Sequence, residues 1–266
     1  MTPRRLLPPR LLTLALLAAL ALLVTGCAVD VPQNTFAPEG DVAREQRDLF
    51  NLVMWPAIAV FVVVEGVLLI AILRFRRRGD ERLPKQVHGN TRLEIAWTLA
   101  PAVLMLGLVA PMIGSIVDLA RDPDADAMQV KVIGQRFSWS FEYPGLEDAE
   151  GEPLFTLGEL HIPVDTQIAA TLQSVDVIHS FWVPRLAGKL DVVPGRSNQL
   201  WFNATEPGIY SGQCAEFCGL EHYKMRLCIV VHESEKDFLD WVESAKSGSG
   251  DPQPLPSTCG GGEALG

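Results

Sequence analysis

The chain reads as a two-helix transmembrane hairpin followed by an all-β sandwich of Greek-key type. Three observations lead there. Two apolar runs, Leu52–Leu73 and Ile95–Val117, hold 22 and 23 residues, each close to the roughly 20 that cross a bilayer. From Met128 onward the hydrophobic period changes to two, the period of a strand. Gly and Pro then punctuate short apolar segments, at Pro144-Gly145, Pro163, Pro194-Gly195 and Pro207-Gly208, as turns do between the strands of a sandwich. Mean hydropathy is +0.19 although 20% of residues are charged, a pairing that membrane segments joined to a polar domain explain.

Taken in order, the first element is the apolar run Leu11–Val24, 14 residues behind Arg4, Arg5 and Arg10. It is too short to span and has the basic flank of a secretory signal. Val24-Thr25-Gly26-Cys27 closes it and resembles a bacterial lipobox. Residues 1–26 are therefore expected to be a leader and Cys27 a lipid attachment site. Residues 27–51 form an exported N-terminal segment, and the hairpin covers 52–118. Its connecting loop, Arg74 to Leu93, carries seven basic residues against Asp80 and Glu81. Positive loops stay in the cytoplasm, so both hairpin ends face outward, in agreement with the leader.

Asp122-Pro123-Asp124-Ala125-Asp126 reads as a linker into a β domain over 119–246. In that domain Phe137, Trp139, Phe141 and Tyr143 alternate with polar residues and place four aromatics on one strand face. Further strands are expected at 128–134, 167–173, 177–183, 199–204 and 226–232, and a short helix at 236–246. The Gly-, Ser- and Pro-rich residues 247–266 are expected to be disordered.

Net charge is −10. From Arg121 to the end there are 22 acidic and 10 basic residues, so the exported part is the acidic part. Such a field draws basic partners and disfavours nucleic acid. The five cysteines do not form a disulfide framework. Cys228 lies in an apolar run and reads as core, and Cys259 lies in the Gly-rich tail.

The chemistry is concentrated in Cys214-Ala-Glu-Phe-Cys218-Gly-Leu-Glu-His222-Tyr-Lys-Met225. Thiolate, imidazole and thioether together select copper, because zinc sites use Cys, His and carboxylate rather than Met. His179, on an apolar segment 35 residues upstream, is the best further ligand. Taken singly, each of these residues is better read as a buried Cys, a satisfied His or a packing Met; the spacing of all five is what overrides that reading.

The pattern Cys-x3-Cys-x3-His-x2-Met, with Asp176-Val-Ile-His179-Ser upstream and Val192-Val-Pro-Gly-Arg196 between, is similar to subunit II of bacterial cytochrome c oxidases of the haem–copper family. Glu94-Ile95-Ala96-Trp97-Thr98 belongs to the same resemblance. It implies a cupredoxin fold with a binuclear Cu-A centre: Cys214 and Cys218 bridging two coppers, His179 and His222 on one copper each, and Met225 and the carbonyl of Glu216 as weak outer ligands. It also implies a magnesium ion on the Glu216 side chain, shared with subunit I, and subunit contacts near Lys189 and Asp191. Glu94 resembles a glutamate at the mouth of a proton pathway, although Thr91-Arg92-Leu93-Glu94 also reads as a capping box. Glu65 lies inside the first apolar run, where a carboxylate is costly, and no motif covers it.

One position departs from the family. Phe137 stands where a Trp commonly receives electrons, with Trp139 the other aromatic nearby. The resemblance implies an electron-accepting subunit of a terminal oxidase in a bacterial inner membrane, fed by cytochrome c. Its partners would be subunit I, with haem and Cu-B, and subunit III; oxygen reduction and proton pumping would take place in subunit I. Three alternatives fit the sequence less well. A quinol-oxidase subunit lacks the copper ligands present here, a copper-delivery protein needs open, exchangeable ligation, and a nitrous oxide reductase-like protein needs a second large domain.

Overall fold

The computed structural model describes residues 31–76, 86 and 88–246, with Leu14, Leu17 and Ala18. The rest of the expected leader, Cys27, Cys259 and the tail 247–266 lie outside the described residues.

Two long helices come first. Helix α1 covers Asp41–Phe75 and α2 covers Thr91–Leu119. At 1.5 Å per residue they are roughly 52 and 43 Å long, so the apolar runs are the interiors of longer helices. Both are long and apolar enough to cross a membrane, and their side chains stay largely exposed on the isolated chain. The helices meet at their sandwich-side ends, where the Ser115 hydroxyl donates to the Glu45 carboxylate.

Among the described residues ten strands follow, in two five-stranded sheets. One has the order β3(Pro153–Leu157), β2(Ser138–Glu147), β1(Met128–Gln135), β5(Ile168–Ser174), β8(Asn198–Phe202). The other has β4(Glu159–Pro163), β10(Arg226–His232), β9(Gly208–Cys214), β6(His179–Trp182), β7(Leu190–Val192). The pairs β1–β5 and β4–β10 are parallel and the rest antiparallel, which gives the expected sandwich. The sheets meet over Trp139, Phe141, Tyr143, Leu160, Ile162, Leu172, Phe181 and Phe202, all fully buried. Phe137 is not the fourth member of the aromatic face: it precedes β2 and is only half-buried. Helix α3, Glu235–Ala245, is capped by Ser234, whose hydroxyl accepts from the Asp237 N–H.

The segment before α1, left without structure by the sequence, docks on the sandwich. The Glu39 N–H donates to the Arg185 carbonyl (2.7 Å), the Thr205 N–H donates to the Glu39 carbonyl (2.8 Å), and Arg185 pairs with the Glu39 carboxylate at 2.8 Å. Asp41 and Asn203 bond each other twice. Gly40 allows this approach, since a Cβ there would stand 2.5 Å from the Asn203 carbonyl oxygen and 2.6 Å from that of Leu186. Val42 joins the core of the sandwich, so α1 is anchored to the β domain at its first turn.

Candidate metal centre

Strand pairing builds the centre. β6 lies beside β9 with Phe181 opposite Cys214, which sets His179 near the end of β9. β9 and β10 form a hairpin whose loop runs from Ala215 to Met225. The loop is closed by Cys214 N–H to the Met225 carbonyl (2.9 Å) and tied to β6 by Ala215 N–H to the Ser180 carbonyl (2.9 Å). A short 3₁₀ turn, His222–Lys224, then aims the last donors.

Every ligand candidate arrives at one place. The two sulfurs are 3.9 Å apart. Around Cys214 Sγ stand His179 Nδ1 at 3.8 Å and the Glu216 carbonyl oxygen at 3.2 Å. Around Cys218 Sγ stand His222 Nδ1 at 3.6 Å and Met225 Sδ at 3.7 Å. Each cysteine thus has one imidazole and one weak donor of its own. Donor atoms of His179, Cys214 and Cys218 lie within 4.8 Å of one another, and His179, Cys214, Cys218 and Met225 are buried. Cys214 and Cys218 are free thiols. Cys228 is fully buried, as expected for a core residue.

The electrostatics favour a cation. Burial opposes ionisation of both thiols, yet hydrogen bonding from His179 and neighbouring backbone brings Cys214 down to about 7. Burial and then the Cys214 charge push Cys218 up to about 12. Metal ligation requires deprotonated thiols, and a cation beside the pair would favour both thiolates. Burial alone would lower the His179 pKa, but bonds to Cys214 and Asp176 outweigh it and raise it.

Asp176 is a partner that the sequence reading passed over. Its Oδ1 stands 2.8 Å from His179 Nε2, which leaves Nδ1 for the sulfur side. Against the cost of burial, bonds from His179, Arg136 and Val177 hold the Asp176 carboxyl well below the usual carboxylate range. A carboxylate on the outer nitrogen is how metal-bound histidines are commonly oriented. The legible signal was the Asp-x-x-His spacing. Gly134 contributes by absence, since a Cβ there would lie 3.0 Å from the His179 ring.

The remaining sequence candidates are placed as follows. Trp139 is fully buried, edge-on to His179 with ring centroids 6.0 Å apart. Phe137 packs on the loop at Gly219, where a Cβ would come within 3.1 Å of its ring. The Glu216 side chain is exposed. Phe217, Leu220 and Tyr223 are 75%, 92% and 67% exposed and form an apolar rim on the loop that sequence reasoning missed. Glu94 lies in the first turn of α2, where its carboxylate accepts from the Asn90 N–H at 3.2 Å. The cap itself is Asn90 rather than Thr91, because Asn90 is still extended and its side chain accepts from the N–H groups of Arg92 and Leu93. Glu65 lies on the exposed surface of α1.

Residues 37–113 match the family model for the cytochrome c oxidase subunit II transmembrane domain, and residues 146–233 match that for its periplasmic domain. The chain is 38% identical to cytochrome c oxidase subunit 2 of Alkalihalophilus pseudofirmus, over 85% of this chain and 66% of that one. It is 34% identical to the Synechocystis protein of the same name, over 75% and 72%, and 32% identical to that of Cereibacter sphaeroides, over 80% of each. The crystal structure of the periplasmic domain of subunit II of cytochrome oxidase from Bradyrhizobium japonicum is 33% identical and covers 48% of this chain and 99% of its own, with a TM-score of 0.44.

Proposed function

Because this chain belongs to the cytochrome c oxidase subunit II family, we propose that it is the electron-accepting subunit of a proton-pumping terminal oxidase. The observation that carries the proposal is the pairing of two buried sulfurs 3.9 Å apart with one imidazole and one weak donor each. When bound there, a binuclear Cu-A pair would take one electron at a time from cytochrome c and hand it to haem in subunit I, where oxygen is reduced to water.

The chain's own residues supply the conditions for that chemistry. Cys214 and Cys218 as thiolates, with His179, His222, Met225 and the Glu216 carbonyl, would hold the pair. The donor set fits copper, since Met is an axial ligand of copper electron-transfer sites and not a zinc ligand. Burial keeps water from the sulfurs, and Asp176 fixes the tautomer of His179. Strands β6, β9 and β10 hold these donors on a rigid frame, which limits geometric change when the charge changes.

Around the centre, the exposed Glu216 carboxylate would hold magnesium together with subunit I. The acidic exported domain would attract a basic cytochrome, and electrons would come in by way of Phe137, with Trp139 behind it against His179. Glu94 would serve the cytoplasmic mouth of a proton pathway as well as capping α2. The domain boundaries, the leader, lipidation at Cys27 and the orientation in a bacterial inner membrane beside subunits I and III are part of the same proposal.

The test is copper loading of the full chain in detergent, followed by electron paramagnetic resonance. One unpaired electron shared by two equivalent coppers is expected, with two copper ions per chain. A mononuclear signal, or copper that a mild chelator strips readily, would overturn the reading.

A further inference from the structure

A second pair of histidines lies at the opposite end of the sandwich. His161 on β4 and His232 on β10 come from adjacent parallel strands. His161 Nδ1 and His232 Nε2 are 3.1 Å apart. The other nitrogen of His161, Nε2, stands 3.3 Å from a Glu159 carboxylate oxygen. The side chains of His161 and Glu159 are only 12% and 14% exposed. Trp241 of α3 stacks flat on His161, with centroids 4.0 Å apart and a 6° interplanar angle, and lies tilted against His232.

We propose that His161 and His232 form a second metal site, which takes one divalent cation of the zinc or copper class through His161 Nδ1 and His232 Nε2. Three features carry this. Two imidazole nitrogens on one tetrahedral zinc, at about 2.0–2.1 Å each, stand roughly 3.3 Å apart, close to the separation found. The Glu159 carboxylate accepts the Nε2–H of His161, so the Nδ1 lone pair faces His232. This is the carboxylate–histidine arrangement that orients metal ligands, and Asp176 repeats it on His179. Finally, with His161 Nδ1 as acceptor, His232 Nε2–H donates the bond between the rings in the metal-free chain, so a cation would take the place of that proton, which moves to Nδ1 of His232 as the imidazole changes tautomer. Imidazole suits zinc and copper, and water would fill the remaining positions.

The site is separate from the sulfur centre. β10 begins one residue after Met225 and reaches His232 six residues later, at about 3.3 Å per residue roughly 20 Å in all. A cation there would clamp β4 to β10 beneath α3 and take no part in the sulfur chemistry.

The experiment uses the full chain with its cysteines already loaded with copper, dialysed against Zn²⁺ and assayed for metal. One additional zinc per chain is expected. His161→Phe and His232→Phe, which keep a ring against Trp241, should each abolish it. Glu159→Gln should weaken it about 10–100-fold. A Cys214→Ser, Cys218→Ser chain should still take the one zinc, so failure of copper loading does not bear on this site. The proposal is overturned if the copper-loaded chain takes up no additional zinc, or if the His161 and His232 variants retain it.

Discussion

The two ends of the sandwich use one device for different purposes. At one end Asp176 holds the outer nitrogen of His179 at 2.8 Å, and the inner nitrogen faces a thiol. At the other end Glu159 holds the outer nitrogen of His161 at 3.3 Å, and the inner nitrogen faces a second imidazole. Orientation by a carboxylate is common to both; what differs is the softness of what it is aimed at. Sulfur, imidazole and thioether together would suit an electron-carrying copper site. Two imidazoles alone make a simple cation site with places open for water.

The comparison breaks most severely at the sulfurs. Cys218→Ser removes one of the two paired sulfurs and leaves Cys214 with its own imidazole and carbonyl. We expect complete loss of the shared-electron signal, with at most one copper bound, as read by electron paramagnetic resonance and metal analysis. The zinc content at the other end should not change, since the two centres share no residue.

Asp176→Asn comes next. The amide can still bond His179 but no longer carries the charge that stabilises the ligand, and loss of such an orienting group typically costs about 10–100-fold in metal affinity. Competition with a copper chelator measures this directly. Equal affinity in the variant would show that the thiols alone orient the centre, and the likeness between the two ends would then be geometric only.

The sequence made these two ends unequally legible. Cys214, Cys218, His222 and Met225 fall within twelve residues, because a hairpin loop supplies them, and local spacing is visible in a sequence. His179 could be added from a distance because it sits in a recognisable segment. His161 and His232 are 71 residues apart and meet through a parallel strand pair, for which periodicity carries no register. The same limit hid strands β3, β4, β7 and β9, three to seven residues long. It also hid the docking of Ala37, Glu39 and Asp41, whose bonds to Arg185, Thr205 and Asn203 are all long-range. The two helices were legible because apolar length alone specifies them, though their polar first turns fell outside the apolar runs.

A smaller effect tests packing rather than ligation. Gly134→Ala would place a Cβ 3.0 Å from the ring of His179, and overpacking a full core typically costs about 1–3 kcal/mol. Thermal unfolding of the metal-free chain should show the loss, and the copper signal of the folded fraction should shift as His179 yields. A variant of unchanged stability would mean that the ring has room to move, and therefore that Asp176 and not packing is what holds it.

The gentlest test reads the pH dependence of the far end. Burial first, and then the neighbouring charge of His161, lower the pKa of His232 below 6.5. The unfolded chain therefore takes up a proton at His232 at a higher pH than the folded chain does. As pH falls through 6.5 the unfolded state gains that proton and the folded state does not, so stability drops; below the folded pKa both are protonated and the slope vanishes. His232→Phe should flatten this part of the curve of stability against pH in the metal-free chain. Bound zinc should steepen the loss in the parent protein, because protons and the cation compete for the same nitrogens. The copper end should respond differently. Asp176 has a lowered pKa, so its contribution is intact above 3.8 and is lost only as pH falls below that value. Acid titration followed at both ends should therefore loosen the imidazole pair first and the Asp176–His179 pair last; the reverse order would mean that the two carboxylates do not play equivalent parts.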